Sequence, residues 1–354
     1  MKPTLKTVAE AVGVSRSSVS NAYSRPDQLS AELRDKIFEA ARRLGYTGPH
    51  PVARTLRRGR VGAIGVLFTD KLSAAFTDPY AVEFLRGLAQ TAEQHATSLV
   101  LIPLPARDRM AGLDALKDAV VDGFCVFCVP DWHVLMGEAQ RRGLPVVTEF
   151  PPDDDPTVMT VGIDDRRAAA EAGEHIARLG HRRIAFIGVE LSAADRTGPV
   201  TLDRPEQAWF HLSRQRLQGI RDGVAALGID WSDLMLINAR ANTREEGALA
   251  AAHALDRADR CTAIVAYSDV LALGALDALA ARGLHAGRDV SIVGFDDIPE
   301  AATAGLTTVR QPAAEKGASS DALLLNPPQD PAEGRILLRT QLVVRASSGP
   351  AERK

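Results

Sequence analysis

The amino-acid sequence predicts an α/β protein: a small three-helix head, then a two-lobed body of parallel sheets wrapped by helices. Three observations predict it. Residues 1–60 carry 12 Lys or Arg against 5 Asp or Glu, +7, while the remainder of the 354-residue chain sums to −10. A basic head on an acidic body suits a phosphate-binding module attached to one that does not hold nucleic acid itself. Residues 5–23 read as two short helices joined by a tight turn, and from Val61 onward apolar runs of strand length alternate with helical stretches in a plan that occurs twice.

In the head, Leu5, Val8, Ala9 and Val12 share one helical face, and Gly13 supplies the turn. Ser15 stands at an N-cap position, and Val19 with Ala22 or Tyr23 gives the buried side of a second helix, so Arg16, Ser17, Ser20 and Asn21 are expected to point outward. Arg can fork onto a guanine edge, Asn can bond an adenine edge, and Ser can serve either, which suits the major groove; a small amphipathic hairpin with a polar surface is the plainer alternative. After a loop at 24–29, Ser30 caps a third helix whose stripe runs through Leu33, Ile37, Phe38, Ala41 and Leu44 to Gly45. Residues 46–51 cannot be helical, whereas Val52 to Arg58 has the composition of a short basic helix that orders only against DNA or a partner chain.

In the body, strands are expected at Val61 to Phe68, Ser98 to Leu104, Gly123 to Val129 and Pro145 to Phe150, then at Arg183 to Val189, Leu234 to Asn238, Thr262 to Tyr267 and Asp289 to Phe295. Helices are expected between them, near 80–95, 110–121, 166–179, 215–227, 244–257 and 270–282. Runs this apolar fit strands covered on both faces, hence two parallel lobes with a ligand cleft at the carboxyl ends of their strands. Those ends read Phe68-Thr69-Asp70, Glu149-Phe150, Ser268-Asp269 and Phe295-Asp296-Asp297, rich in oxygen acceptors. The tail from Thr307 is expected to hold one more helix to about Leu325, a Pro-rich loop at 326–331, and a last strand near Leu342 to Arg345.

The chain resembles bacterial regulators of the lactose repressor (LacI/GalR) family over nearly its whole length. The matching runs include Thr7-Val-Ala-Glu-Ala-Val-Gly-Val-Ser-Arg-Ser-Ser-Val-Ser, Leu44-Gly-Tyr, Val52-Ala-Arg-Thr-Leu-Arg, Leu179-Gly-His-Arg-Arg-Ile-Ala-Phe-Ile-Gly, Arg216-Leu-Gln-Gly, Asp269-Val-Leu-Ala-Leu-Gly-Ala-Leu, Val290-Ser-Ile-Val-Gly-Phe-Asp-Asp-Ile and Leu306-Thr-Thr-Val-Arg-Gln-Pro. The resemblance implies a helix-turn-helix head over 1–47, a hinge helix and linker over 48–60, and a core similar to periplasmic sugar-binding proteins. It divides that core into a first lobe of 61–160 with 312–326 and a second of 161–311 with 327–346, leaving a tail at 347–354. It places Arg16, Ser17 and Asn21 on bases and Leu56 as a minor-groove wedge joined by Arg54, with Thr4, Thr7, Ser20, His50 and Arg58 completing the expected DNA-facing set. The hinge is one residue longer than the family's and contains Pro51. For the effector, Arg216 and Asp296 match the family's contacting Arg and Asp, a pairing suited to a polyol or sugar. Ser268 replaces a usual Asn and Phe150 a usual Asp, and the longer segment 190–212 brings Trp209 and Phe210 toward the mouth. Thr69, Tyr80, Phe150, Trp209, Ser268 and Asp269 join Arg216 and Asp296 in the expected effector set. The resemblance further implies a cytoplasmic homodimer on a pseudo-palindromic operator, switched by a small effector. A sugar is expected first, with a nucleoside or purine as the alternative.

Other chemistry is excluded or set aside. The first residues hold no apolar run for a signal peptide, and no segment is long and apolar enough to span a bilayer. The 3 Cys do not suggest a disulfide framework, and Cys125 and Cys128, inside an apolar strand, read as buried thiols rather than a redox pair. Phosphate-loop, dinucleotide and zinc-protease motifs are absent, so neither a cofactor nor an enzyme is expected. His175, His181 and His253 are isolated from one another, and the run 153–155 of three Asp reads as a solvated loop. Asp164-Asp165 precedes a helix, where a carboxylate either caps it or faces ligand. Nothing after Arg345 corresponds to the family's tetramerising helix.

Overall fold

The structure, a computed structural model, describes residues 3–48, 60–69, 72–104, 112–128, 135–150, 158–257 and 260–351. The chain forms two compact units that divide between Gly62 and Ala63. His50, Pro51, Arg54, Leu56 and Arg58 of the expected hinge, and the acidic run at 153–155, lie outside the described residues.

The head is three capped helices. Thr4 opens α1 (Leu5–Val12) with a reciprocal box, accepting from Thr7 N at 3.3 Å while its own N–H donates to Thr7 Oγ1 at 2.7 Å. Gly13 ends α1 at φ 75°, a conformation that costs a side chain about 1–2 kcal/mol. Ser15 caps α2 (Arg16–Ser24) through Ser18 N at 3.0 Å, and Ser30 caps α3 (Ala31–Leu44) through Leu33 N at 3.3 Å, both as expected. Val8, Ala9, Val19, Ala22, Ile37, Ala40 and Ala41 close the core, and Tyr23 sets its ring edgewise against Phe38 at 5.1 Å. The loop at 24–29 is tighter than composition suggests, holding a 3-10 turn at Pro26–Gln28.

The second unit contains two sheets. The first has six parallel strands: β1 (Ala63–Thr69), β2 (Ser98–Leu104), β3 (Gly123–Phe127), β4 (Val146–Thr148), β5 (Met159–Ile163) and β12 (Arg335–Leu338), in the order β12-β5-β4-β3-β1-β2. The second has β6 (Ile184–Val189), β7 (Gly198–Val200), β8 (Leu234–Ala239), β9 (Ala263–Ala266), β10 (Ser291–Asp296), β11 (Thr307–Arg310) and β13 (Gln341–Val343), in the order β13-β11-β10-β9-β6-β8-β7. Its two edge strands, β7 and β13, run antiparallel to their neighbours.

Helices cover both sheets: α4 (Pro79–Gln94), α5 (Leu113–Asp118), α6 (Leu135–Arg141), α7 (Asp165–Arg178), α8 (His211–Ala225), α9 (Arg244–Leu255), α10 (Asp269–Ala280), α11 (Pro299–Thr303) and α12 (Ala313–Leu325). The sequence places all but α6, α11 and the exact ends. It does not mark the short β5, β7, β11 and β12. Thr307–Arg310 is a strand, and the last long helix starts only after Pro312, whose ring suits a helix start but not its interior.

The partition of the tail needs correction. Residues 327–346 do not all belong with the second lobe, because Arg335–Leu338 pairs with Met159–Ile163 in the first sheet. The expected boundary at 161 likewise falls inside β5, which is a first-sheet strand. An edge left open at β5 would expose a row of unpaired backbone groups, and β12 covers it. The chain therefore passes between lobes after β5, after β11 and after β12. In the first lobe α4 and α12 touch backbone to backbone: a Cβ on Gly317 would lie 2.1 Å from Phe84 O.

Candidate functional site

In the head, Arg16 and Ser17 are exposed at the start of α2, and Asn21, half-buried one turn on, donates from Nδ2 to Gln28 Oε1 at 3.4 Å. Ser20 does not join them. It is 7% exposed, on the side of α2 that faces the core with Val19, so it is not a surface reader. Thr4 and Thr7 are exposed but engaged in the cap of α1.

A cleft of about 920 Å³ in the body is lined by both lobes at the carboxyl ends of their strands. Tyr80, Arg216, Ser268 and Asp296 of the expected set line it together. Positive φ collects here: Cys128, Glu190 and Asp296, at φ 50°, 48° and 123°, are non-glycine residues at strand ends that line the cleft. Such strain persists where the surroundings hold it, and it aims side chains that a relaxed turn would not.

On the first-lobe side, Lys316 Nζ donates to Glu149 Oε1 at 2.9 Å, Tyr80 Oη at 2.8 Å and Gln311 Oε1 at 3.0 Å. Burial pushes the Glu149 carboxyl up, but the Lys316 charge and hydrogen bond, with bonds from Cys128 and Tyr80, outweigh it and leave the group below its ordinary value. Burial, reinforced by Glu149, drives the Tyr80 phenol far up.

On the second-lobe side, Arg216 Nε donates to Asp165 Oδ1 at 2.9 Å and Nη1 to Tyr267 O at 2.5 Å, with the guanidinium 3.7 Å from the centroid of the Phe295 ring. Asp165 thus holds Arg216 rather than the ligand cleft, and its Oδ2 is buried without a hydrogen-bond partner among the described residues. Burial lowers the Arg216 pKa, but Asp165, Tyr267 and Asp296 more than reverse this and raise it. Asp296 is pushed well up by burial and by the charges of Asp269 and Asp78, against the pull of Arg216. Gln311 Nε2 donates to Asp296 Oδ1 at 2.6 Å. At the rim, Asn242 Nδ2 donates across the cleft to Asp78 Oδ2 at 3.1 Å, while Ser268 Oγ donates to Asn242 Oδ1.

Three expected residues are elsewhere. Phe150 packs against His211, ring centroids 5.0 Å apart, in a separate cavity of about 340 Å³, and its neighbour Glu149 takes the cleft position. Trp209 does not line the cleft; Phe210 does. Asp269, fully buried, accepts from Ile298 N at 2.9 Å and Thr308 Oγ1 at 2.5 Å, tying β11 and the loop after β10 to the start of α10. The side chain of Thr69 lies outside the described atoms.

Sequence reasoning did not single out Lys316, Gln311, Asp78 or Tyr267. Lys316 had a signal, since Ala313, Lys316, Gly317, Ser320, Asp321 and Leu324 follow helical spacing and are all buried. Cys128 sits just past β3 and lines the cleft, with Sγ 3.4 Å from Glu149 Oε2, so it is not the buried strand thiol expected. His181 is buried on Thr262, Ser291 and Gly349. Among the described residues no cluster of His, Cys, Asp or Glu could hold a metal ion, and no helix is long and apolar enough to cross a membrane.

Comparison with known proteins matches residues 4–48 to the family model of bacterial regulatory proteins, lacI family, and residues 174–348 to a periplasmic binding protein-like domain. An HTH-type transcriptional regulator of Mycolicibacterium smegmatis is 40% identical over 99% of this chain and 97% of its own. Among solved structures, a LacI-family transcriptional regulator from Corynebacterium glutamicum superposes with a TM-score of 0.73 at 32% identity, covering 98% of each chain. The transcriptional regulator CelR in complex with cellobiose superposes at 0.69 and 27% identity, covering 98% of this chain and 100% of its own. A capped helix-turn-helix head, a two-lobed core with a cleft at its strand ends, and relatives of this identity over the full length together show that the chain belongs to the LacI family of DNA-binding transcriptional regulators.

Proposed function

We propose that this regulator is a cytoplasmic repressor that binds a pseudo-palindromic operator as a two-fold dimer and releases or tightens on it when a sugar occupies the cleft. The observation that carries the effector reading is the opposition of acceptors across the cleft: Glu149 on one lobe and Asp296 on the other, with the Arg216 fork beside them. A ligand rich in hydroxyls donates to the Glu149 carboxylate, hydrogen-bonds the Asp296 carboxyl and accepts from the guanidinium, so its binding energy depends on the angle between the lobes. About 920 Å³ accommodates a mono- or disaccharide. Support also comes from the relative CelR, whose complex holds cellobiose. The dimer follows from contact number: one recognition helix reads a single half-site, and symmetric heads double the contacts at one helical turn's spacing.

The test is a gel shift on DNA from upstream of the protein's own coding region, with and without sugars. Binding there that a sugar changes supports the reading. No binding, or binding indifferent to every sugar tried, overturns it.

A further inference from the structure

Every Lys or Arg that lines the cleft among the described residues is already ion-paired within the protein: Arg216 with Asp165, Arg240 with Glu246, Arg244 with Asp277 and Lys316 with Glu149. These four cations share the lining with seven carboxylates. Among the described residues, an anion entering such a space meets no uncompensated positive charge and a net negative field. Lys316 is 2% exposed, and its three described hydrogen bonds match its donor capacity, so it has no proton left for a ligand. Glu149 is different. Its Oε1 accepts from Lys316 and Tyr80, but the one described bond to Oε2 comes from a thiol, a weak donor, at 3.4 Å.

We propose that Lys316 and Glu149 form a first-lobe subsite in which the ammonium fixes the carboxylate toward a ligand hydroxyl, making the cleft selective for uncharged polyhydroxyl ligands over their phosphate esters. The proposal rests on the sugar reading above and narrows it. Lys316 is a positioning residue, and Glu149 is the group that touches ligand. The arrangement has a charge-balance logic: a lone buried ammonium would attract phosphate, whereas one neutralised by Glu149 leaves a carboxylate as the acceptor on that wall.

The experiment uses the full chain and pairs of probes in thermal-shift titrations: ribose and ribose 5-phosphate, glucose and glucose 6-phosphate, sorbitol and sorbitol 6-phosphate, and further pentoses, hexoses, disaccharides and cyclic polyols with their monophosphates. At least one free compound is expected to raise the melting temperature at a concentration about tenfold or more below that of its ester. The double variant Lys316→Met/Glu149→Gln leaves no orphaned charge. It is expected to keep its ligand-free melting and its gel shift while weakening the free compound about tenfold or more. Glu149→Gln alone strips the ammonium of its counter-charge and is expected to shrink the preference for free compound over ester by about tenfold, a change that a merely structural role would not produce. A phosphate ester binding the wild type as well as the free compound, unchanged binding in the double variant, or an unchanged preference in Glu149→Gln overturns the subsite. If no compound of either series binds, the sugar reading itself fails, and the subsite with it.

Discussion

Gln311 joins the two walls of the cleft through one amide: its Oε1 accepts from Lys316 at 3.0 Å and its Nε2 donates to Asp296 at 2.6 Å. It sits where the chain leaves β11 for α12, between the second sheet and the first lobe. Gln311→Leu breaks both bonds without touching the head. Its effector midpoint is expected to move about tenfold while operator affinity without effector stays within about twofold, read by gel-shift titration. An unchanged midpoint would mean that the amide does not couple the lobes.

Asp296→Ala removes the second-lobe acceptor. The sugar response of DNA binding should disappear, with ligand-free binding retained because no DNA contact is lost. A response with the native midpoint would place the pocket elsewhere.

Arg216→Ala strands Asp165, which is 4% exposed. Unfolding in urea is expected to show a loss of about 3 to 5 kcal/mol. Arg216→Met with Asp165→Asn removes both charges and should recover most of that stability, yet not the effector response. Full recovery of both would reduce Arg216 to a structural ion-pair partner.

Asp321 is fully buried, neither of its oxygens has a hydrogen-bond partner among the described residues, and burial raises its pKa from 3.8 to about 6 against an opposing pull from His95. The folded chain therefore holds this proton more tightly than the unfolded one. Stability from this group is complete below pH 3.8, falls as pH climbs to about 6, and stays reduced above it. Asp321→Asn should stabilise the core at pH 7.5 by on the order of 1 kcal/mol, a figure discounted for solvent screening. That gain should vanish below about pH 4 in matched denaturation curves. A gain that does not change with pH would point to packing instead.

In the head, Arg16→Ala should cost about 1 to 3 kcal/mol of operator affinity and relax preference at one base position, with melting unchanged. Ser15→Ala should instead lower head stability by about 1 kcal/mol through loss of the cap. A mutational scan of the operator against both variants separates the two.

Most of the architecture is legible in the sequence because its long elements are strongly periodic and their ends carry Ser, Thr and Gly where caps and turns need them. At the strand and loop ends, the candidate lining was legible to within one residue. Glu149 lines the cleft where Phe150 is expected, and of Trp209 and Phe210, as of Ser268 and Asp269, only one faces it. At a strand or loop end, adjacent side chains point in opposite directions, and sequence marks the end without saying which of two neighbours turns inward. Ser20 failed similarly, because one position of helical rotation separates an outward residue from the edge of the core. Lys316 and Asp78 reach the cleft from elements far apart in the chain, a convergence that no local pattern contains.

The three chain crossings between the lobes bear on how the protein is made. Both sheets wait for late segments, β12 for the first and β13 for the second, whereas the head's last helix ends at Leu44, about 300 residues earlier. At about 5 to 20 residues per second of synthesis, the ribosome spends roughly 15 to 60 s between completing the head and releasing what the sensor needs to close. During that interval the nascent chain carries a finished DNA-binding module whose control apparatus does not yet exist, with the edge of β5 open to chaperones and to neighbouring chains.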